Sequence, residues 1–71
     1  MIVMTHSHGA FGWEYTADEG NIQGVCKTLQ ASREASEHAV RQHLSTLQGH
    51  PLAPTDVPAH VRHEVLAVAK S

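Results

Sequence analysis

The sequence predicts an α+β fold: an N-terminal β-hairpin, one long amphipathic helix and a shorter C-terminal helix. Three observations carry this. Phe11, Trp13 and Tyr15 alternate with Gly12, Glu14 and Thr16, the two-residue period of a half-buried strand. Twenty residues between Thr28 and Gly49 keep apolar side chains at helical spacing and contain no proline. Val57, Val61, Val65 and Val68 recur at intervals of four, four and three.

The hairpin is placed at about 11–27. Asp18-Glu19-Gly20-Asn21 is turn chemistry, because Gly20 and Asn21 tolerate positive φ. Ile22 to Lys27 then returns as a second strand, in which Gly24 marks a bulge or a close approach. Ile2-Val3-Met4 adds a possible third short strand, which His6-Ser7-His8-Gly9 is expected to interrupt.

The long helix is placed at about 29–48, with Thr28 as N-cap and Gly49 as the left-handed residue after its end. At ~1.5 Å per residue it is about 30 Å long. One face carries Leu29, Val40, Leu44 and Leu47, flanked by Ala35 and Ala39. The opposite face carries Gln30, Glu34, Glu37, His38, Arg41 and Ser45, with Glu37 and Arg41 at i,i+4. A connector at 49–55 contains Pro51 and Pro54. The second helix is placed at about 56–70, capped by Asp56 or Thr55, with Pro58 in its first turn.

The chain has 71 residues, which makes 1–71 a single small domain. Nine residues are Ala, and twenty are larger apolar side chains. The expected core is Phe11, Trp13, Tyr15, Val25 and Leu29. A core of this size supplies only ~3–5 kcal/mol of net stability, and small scaffolds usually add a disulfide, a metal or a second chain. One cysteine excludes an internal disulfide. A homodimer is therefore expected, with Val40, His43, Leu44, Leu47, Val61, Val65, Leu66 and Val68 as candidate interface. His43 projects from the apolar helix face, either as a core histidine satisfied by a hydrogen bond or at a seam between subunits.

Composition bounds the function. Lys27, Arg33, Arg41, Arg62 and Lys70 are dispersed, and the formal net charge is −2 with neutral histidines. Nucleic-acid binding rests on clustered cations, so it is disfavoured. The sequence lacks the uninterrupted apolar stretch of ~18–20 residues that crosses a bilayer, and its start lacks the basic flank of a signal peptide. With the lone Cys26, this places the chain in the cytoplasm and off the membrane.

Seven histidines are the one suggestive residue class. His6-x-His8 would share one side of a strand, and His60-x-x-His63 the outer face of the last helix. Each is a two-ligand fragment, whereas zinc needs three or four ligands, so no metal or other cofactor is expected. Cys26 reads as a small buried hydrophobe, and the glycines do not fit a phosphate-binding loop. No catalytic residue is assigned, so the chain is read as a non-enzyme.

The order Phe11-Gly12-Trp13, Gly24-Val25-Cys26, Thr28-Leu29-Gln30-Ala31 resembles that of many short accessory proteins of bacteria and phages. This likeness of composition and order carries no site residue. The expected function is that of a small non-catalytic protein-binding protein, a homodimeric inhibitor or adaptor acting on a larger, unidentified protein. The alternatives are a small DNA-binding regulator, with the two helices as helix-turn-helix parts, and a histidine-dependent metal-binding protein.

Overall fold

A computed structural model describes residues 1–66. Strand β1 (Ile2–Gly9) and strand β2 (Gly12–Ala17) form an antiparallel hairpin through a two-residue loop, and β3 (Gln23–Cys26) pairs antiparallel with β2. Helix α1 (Leu29–Gln48) follows, then a 3₁₀ segment (Pro54–His60) and β4 (Val61–Val65). The sheet order is β3-β2-β1-β4, with β4 parallel to β1. Helix α1 is thus the crossover that lets the chain return parallel to its first strand, the connection a parallel pair requires.

The α+β class holds, and the hairpin and long helix lie where the sequence puts them. Thr28 caps α1 by accepting a bond from Ala31 N–H, and Gly49 ends it in the left-handed conformation. Gly20 and Asn21 both have positive φ in the β2–β3 turn. Gly24 faces Tyr15 across the ladder, and a Cβ there would overlap the tyrosine ring. This glycine therefore makes room for the aromatic side chain.

Two of the expected elements differ. The N-terminal strand does not stop at His6 but runs to Gly9, because β2 pairs with it residue for residue from Met4 to Gly9. Nor does an α-helix occupy the described part of 56–70. That stretch is a 3₁₀ segment with Pro58 inside it, followed by a strand; residues 67–71 lie outside the described residues. The reason lies in the valines. A spacing of four fits the helical period, and it fits the two-residue strand period equally well. Val61-Arg62-His63-Glu64-Val65 alternates, and the ladder with β1 selects the strand. Ala53, not Asp56 or Thr55, precedes the 3₁₀ segment, without a side-chain cap.

The helix covers one face of the sheet. Ile2, Met4, Ile22, Val40, Leu52, Val57 and Val61 form the core, with Tyr15, Ala17, Ala39 and Leu44 packed against it. Buried Ser32 and Ser36 precede Val40 at intervals of four, so small side chains line the helix where it meets the sheet. Leu52 is fixed on both sides: its N–H donates to Ser45 Oγ (2.9 Å), and its carbonyl accepts from Arg41 Nε (2.7 Å). Ser45 and Arg41 thus leave the solvated face assigned to them and anchor the connector.

The aromatic core is also corrected. Phe11 sits in the loop between β1 and β2 and is 85% exposed. Val25 projects to the open face of the sheet and is exposed. Trp13, Tyr15 and Leu29 are half-buried. The interior is built from aliphatic residues instead: Ile2, Met4, Ile22, Leu52 and Val57, which the expected core lacks, with Val40 and Val61, which the sequence reading puts at an interface.

Candidate functional site

The alternation of β1 sends Ile2, Met4 and His6 into the space beneath α1. The alternation of β4 sends Val61 and His63 to the same side, since Val61 pairs with Ile2 and His63 with Met4. Helix α1 lays Ser32 and Glu37 over them. Four polar side chains from three elements form one hydrogen-bonded chain. Ser32 Oγ lies 2.8 Å from His6 Nδ1, His6 Nε2 lies 2.8 Å from His63 Nδ1, and His63 Nε2 lies 2.7 Å from Glu37 Oε2. The imidazole centroids are 5.0 Å apart.

Donor and acceptor counting assigns the protons of the neutral form. A carboxylate only accepts, so His63 donates from Nε2 and accepts at Nδ1. His6 then donates from Nε2 and accepts at Nδ1 from the Ser32 hydroxyl. Each contact holds one proton, and the chain ends on the carboxylate. Both rings cannot become fully protonated in place, because two N–H groups would then face each other across 2.8 Å. Among the described residues, no buried side-chain nitrogen or oxygen lacks a partner.

Burial chiefly, with the cationic forms of His63 and Arg33 adding to it, holds the His6 imidazole below its ordinary value. His6 and Ser32 are 0% exposed, while the Glu37 carboxylate reaches the surface. The chain shares serine, histidine and acid with hydrolytic triads, but a second histidine stands between His6 and the carboxylate, and the geometry does not support attack. The serine hydroxyl is sealed beneath the helix, where no substrate atom can approach it. This chain of bonds fastens β4 to the helix twice, directly through His63 and Glu37 and again through His6 of β1 and Ser32.

The residues expected at sites fall as follows. His6 and His8 lie on one side of β1, but His8 packs on Trp13 with ring centroids 5.2 Å apart. His60 closes the 3₁₀ segment while His63 turns inward from β4, so the pair does not sit on an outer helix face. The two histidine pairs are thus split, and one member of each meets the other. Among the described residues no cluster of three or more metal-ligating side chains forms. His43 is half-buried and lies against Gly20 in the β2–β3 turn, and the buried histidine is His6. Of the candidate interface residues, Val40 and Val61 belong to the core, Leu44 packs beside it, and Leu47, Val65 and Leu66 are exposed. Val68 lies outside the described residues. Cys26 is half-buried.

The sequence reading missed Ser32, Glu37 and the inward role of His63. Alternation with Ile2 and Met4 was the available signal for His6, and alternation between Val61 and Val65 the signal for His63. Among the described residues no helix is long and apolar enough to cross a membrane. No family model, curated protein or solved structure matches the chain.

Proposed function

We propose that the chain is a small non-catalytic protein-binding protein of the cytoplasm, a homodimer that acts as an inhibitor or adaptor of a larger protein. One observation carries this reading: the polar groups with reactive potential point inward, and large apolar groups point outward. Ser32 and His6 are sealed, whereas Phe11 in a loop, Leu47 near the helix end, Val65 on edge strand β4 and Leu66 just after it stand in solvent. The open edge of β4, beside exposed Val65, is a surface to which another chain can add a strand. The helix-turn-helix alternative has less support, because α1 is the one α-helix among the described residues.

The test combines assembly with chemistry. Sedimentation equilibrium is expected to give a species of twice 7.7 kDa, with a melting temperature that rises with protein concentration. A larger protein isolated with the untagged chain is expected to re-form a stoichiometric complex from purified components, for wild type and for Ser32→Ala alike. A 7.7 kDa species at every concentration removes the homodimer. A turnover abolished by Ser32→Ala removes the non-catalytic reading.

A further inference from the structure

We propose that the outer edge of β4 joins two copies of this chain, by antiparallel pairing of β4 with β4 of a second copy centred on His63. The proposal rests on the homodimer reading above and names its surface.

Backbone direction comes first. In a parallel ladder, successive residues turn their N–H and C=O groups alternately toward the neighbouring strand and away from it. Leu66 N–H donates to His6 C=O (2.8 Å), so residues 62, 64 and 66 face β1. Val61, His63 and Val65 therefore turn theirs to the outer edge, where no described strand pairs with them. An antiparallel partner must set outward-facing residues opposite one another. Centring on His63 does this for the whole strand: His63 meets His63, and Val61 meets Val65 twice.

Side chains agree with that register. Arg62 falls opposite Glu64 of the other copy, and the two-fold axis makes the contact twice. These are the positions between hydrogen-bonded pairs, where side chains approach most closely. Arg62 and Glu64 already lie 3.5 Å apart on the open face of their own sheet, both well exposed. Val-Arg-His-Glu-Val is thus symmetric in its apolar residues about His63 and complementary in charge. Val65, 47% exposed, gains cover from Val61 of the second copy, on the helix side.

Other registers lose these contacts. A register centred on Arg62 still sets outward-facing residues opposite one another, Val61 with His63, but it places Arg62 against Arg62 at the two-fold axis, and one centred on Glu64 places Glu64 against Glu64. A shift of two residues toward the N-terminus pairs β4 with the 3₁₀ segment, whose backbone is not extended and offers no ladder. The same shift the other way sets Glu64 against Leu66. The opposite edge of the sheet, β3, has four residues, Gln-Gly-Val-Cys, and no charge to set a register.

The test uses the full chain in sedimentation equilibrium at low salt. Arg62→Glu and Glu64→Arg each place like charges opposite one another twice, and each is expected to weaken dimerisation about tenfold or more. The double exchange, Arg62→Glu with Glu64→Arg, restores opposite charges and is expected to return the dissociation constant to within about threefold of wild type. In a Cys26→Ser background, a mixture of Arg62→Cys and Glu64→Cys chains is expected to form an inter-chain disulfide readily, and neither chain alone to do so. A dimer whose dissociation constant ignores both single reversals, and whose mixed cysteine chains do not cross-link, overturns this edge and leaves the homodimer reading standing. A wild-type chain that stays monomeric at millimolar concentration overturns both.

Discussion

Strands β2 and β4 both pair with β1, on opposite sides, and are held there by different means. Strand β2 follows β1 after a two-residue loop and pairs with it over six positions. Its closure entropy is small, and the ladder with a few packed side chains suffices. Strand β4 joins β1 from the far end of the sequence; the His6–His63 bond spans 57 residues. Its loop is long, its ladder is parallel, and its outer edge is open. There the molecule places directional contacts that couple strand, neighbour and helix. A local pairing is secured by backbone and turn chemistry, whereas a distant one on this scaffold is secured by a buried polar chain.

The largest effect expected from breaking this contrast is at His6. His6→Ala removes a fully buried ring, leaves a cavity, and strips partners from the Ser32 hydroxyl and His63 Nδ1. Cavity and unpaired-group costs together come to about 3 kcal/mol. Urea denaturation at fixed protein concentration measures it, and amide exchange is expected to show β4 opening before β2. His6→Leu combined with Ser32→Ala refills the space without stranding a hydroxyl and is expected to recover part of the loss. A loss below about 1 kcal/mol for His6→Ala would show that the chain of bonds does not fasten β4.

The second prediction acts on the β2 side. Gly24→Ala drives a methyl into the Tyr15 ring. Overpacking of this kind costs about 1–3 kcal/mol, and here it is felt by β2 and β3, not by β4. Exchange protection of the Val61–Val65 amides is expected to be preserved while that of β3 falls. Equal loss on both sides would show that the sheet opens as one unit and that the two fastenings are not separable.

The same contrast explains what could be read from the sequence. The hairpin turn, the helix and its caps were legible because each is decided within a few residues: Gly20-Asn21 by positive φ, Thr28 by one bond to Ala31, Gly49 by its left-handed conformation. Strand β4 was not, because valines four apart satisfy both periods and only the pairing with β1, far away in sequence, separates them. The site suffered more. His6, Ser32, Glu37 and His63 become neighbours through the sheet order and the crossover, and no spacing within a single segment announces them. Phe11 was placed in the core on alternation alone, which does not distinguish the last residue of a loop from the first of a strand.

A third effect, bounded by the loss of the ring itself, comes from acid. The folded-state value of His6 is lowered, so the unfolded chain binds more protons at pH values between the two. Stability is expected to be full above the unfolded value of about 6.5, to fall as pH drops through it, and to level off below the folded value. Urea midpoints at pH 7.5 and 5.5 for wild type and His6→Leu give the comparison. The exposed histidines are common to both proteins, so the difference in slope reports the bonded His6–His63 pair. An identical pH dependence in the two proteins would remove His6 from the titration.

The smallest effect is expected at the surface end of the chain. Glu37→Gln keeps an oxygen that accepts from His63 Nε2–H, and so keeps the bond count, while it removes the negative charge. The carboxylate side chain is 35% exposed, and water screens much of what its charge contributes. A neutral acceptor in place of a charged one is therefore expected to cost less than about 1 kcal/mol at pH 7.5, with β4 protection retained. Glu37→Ala removes the acceptor altogether and is expected to cost more than Glu37→Gln. If Glu37→Gln instead costs as much as His6→Ala, charge and not hydrogen-bond satisfaction holds β4 in place. The contrast between the two strands would then be one of electrostatics, and high salt would be expected to weaken β4 selectively.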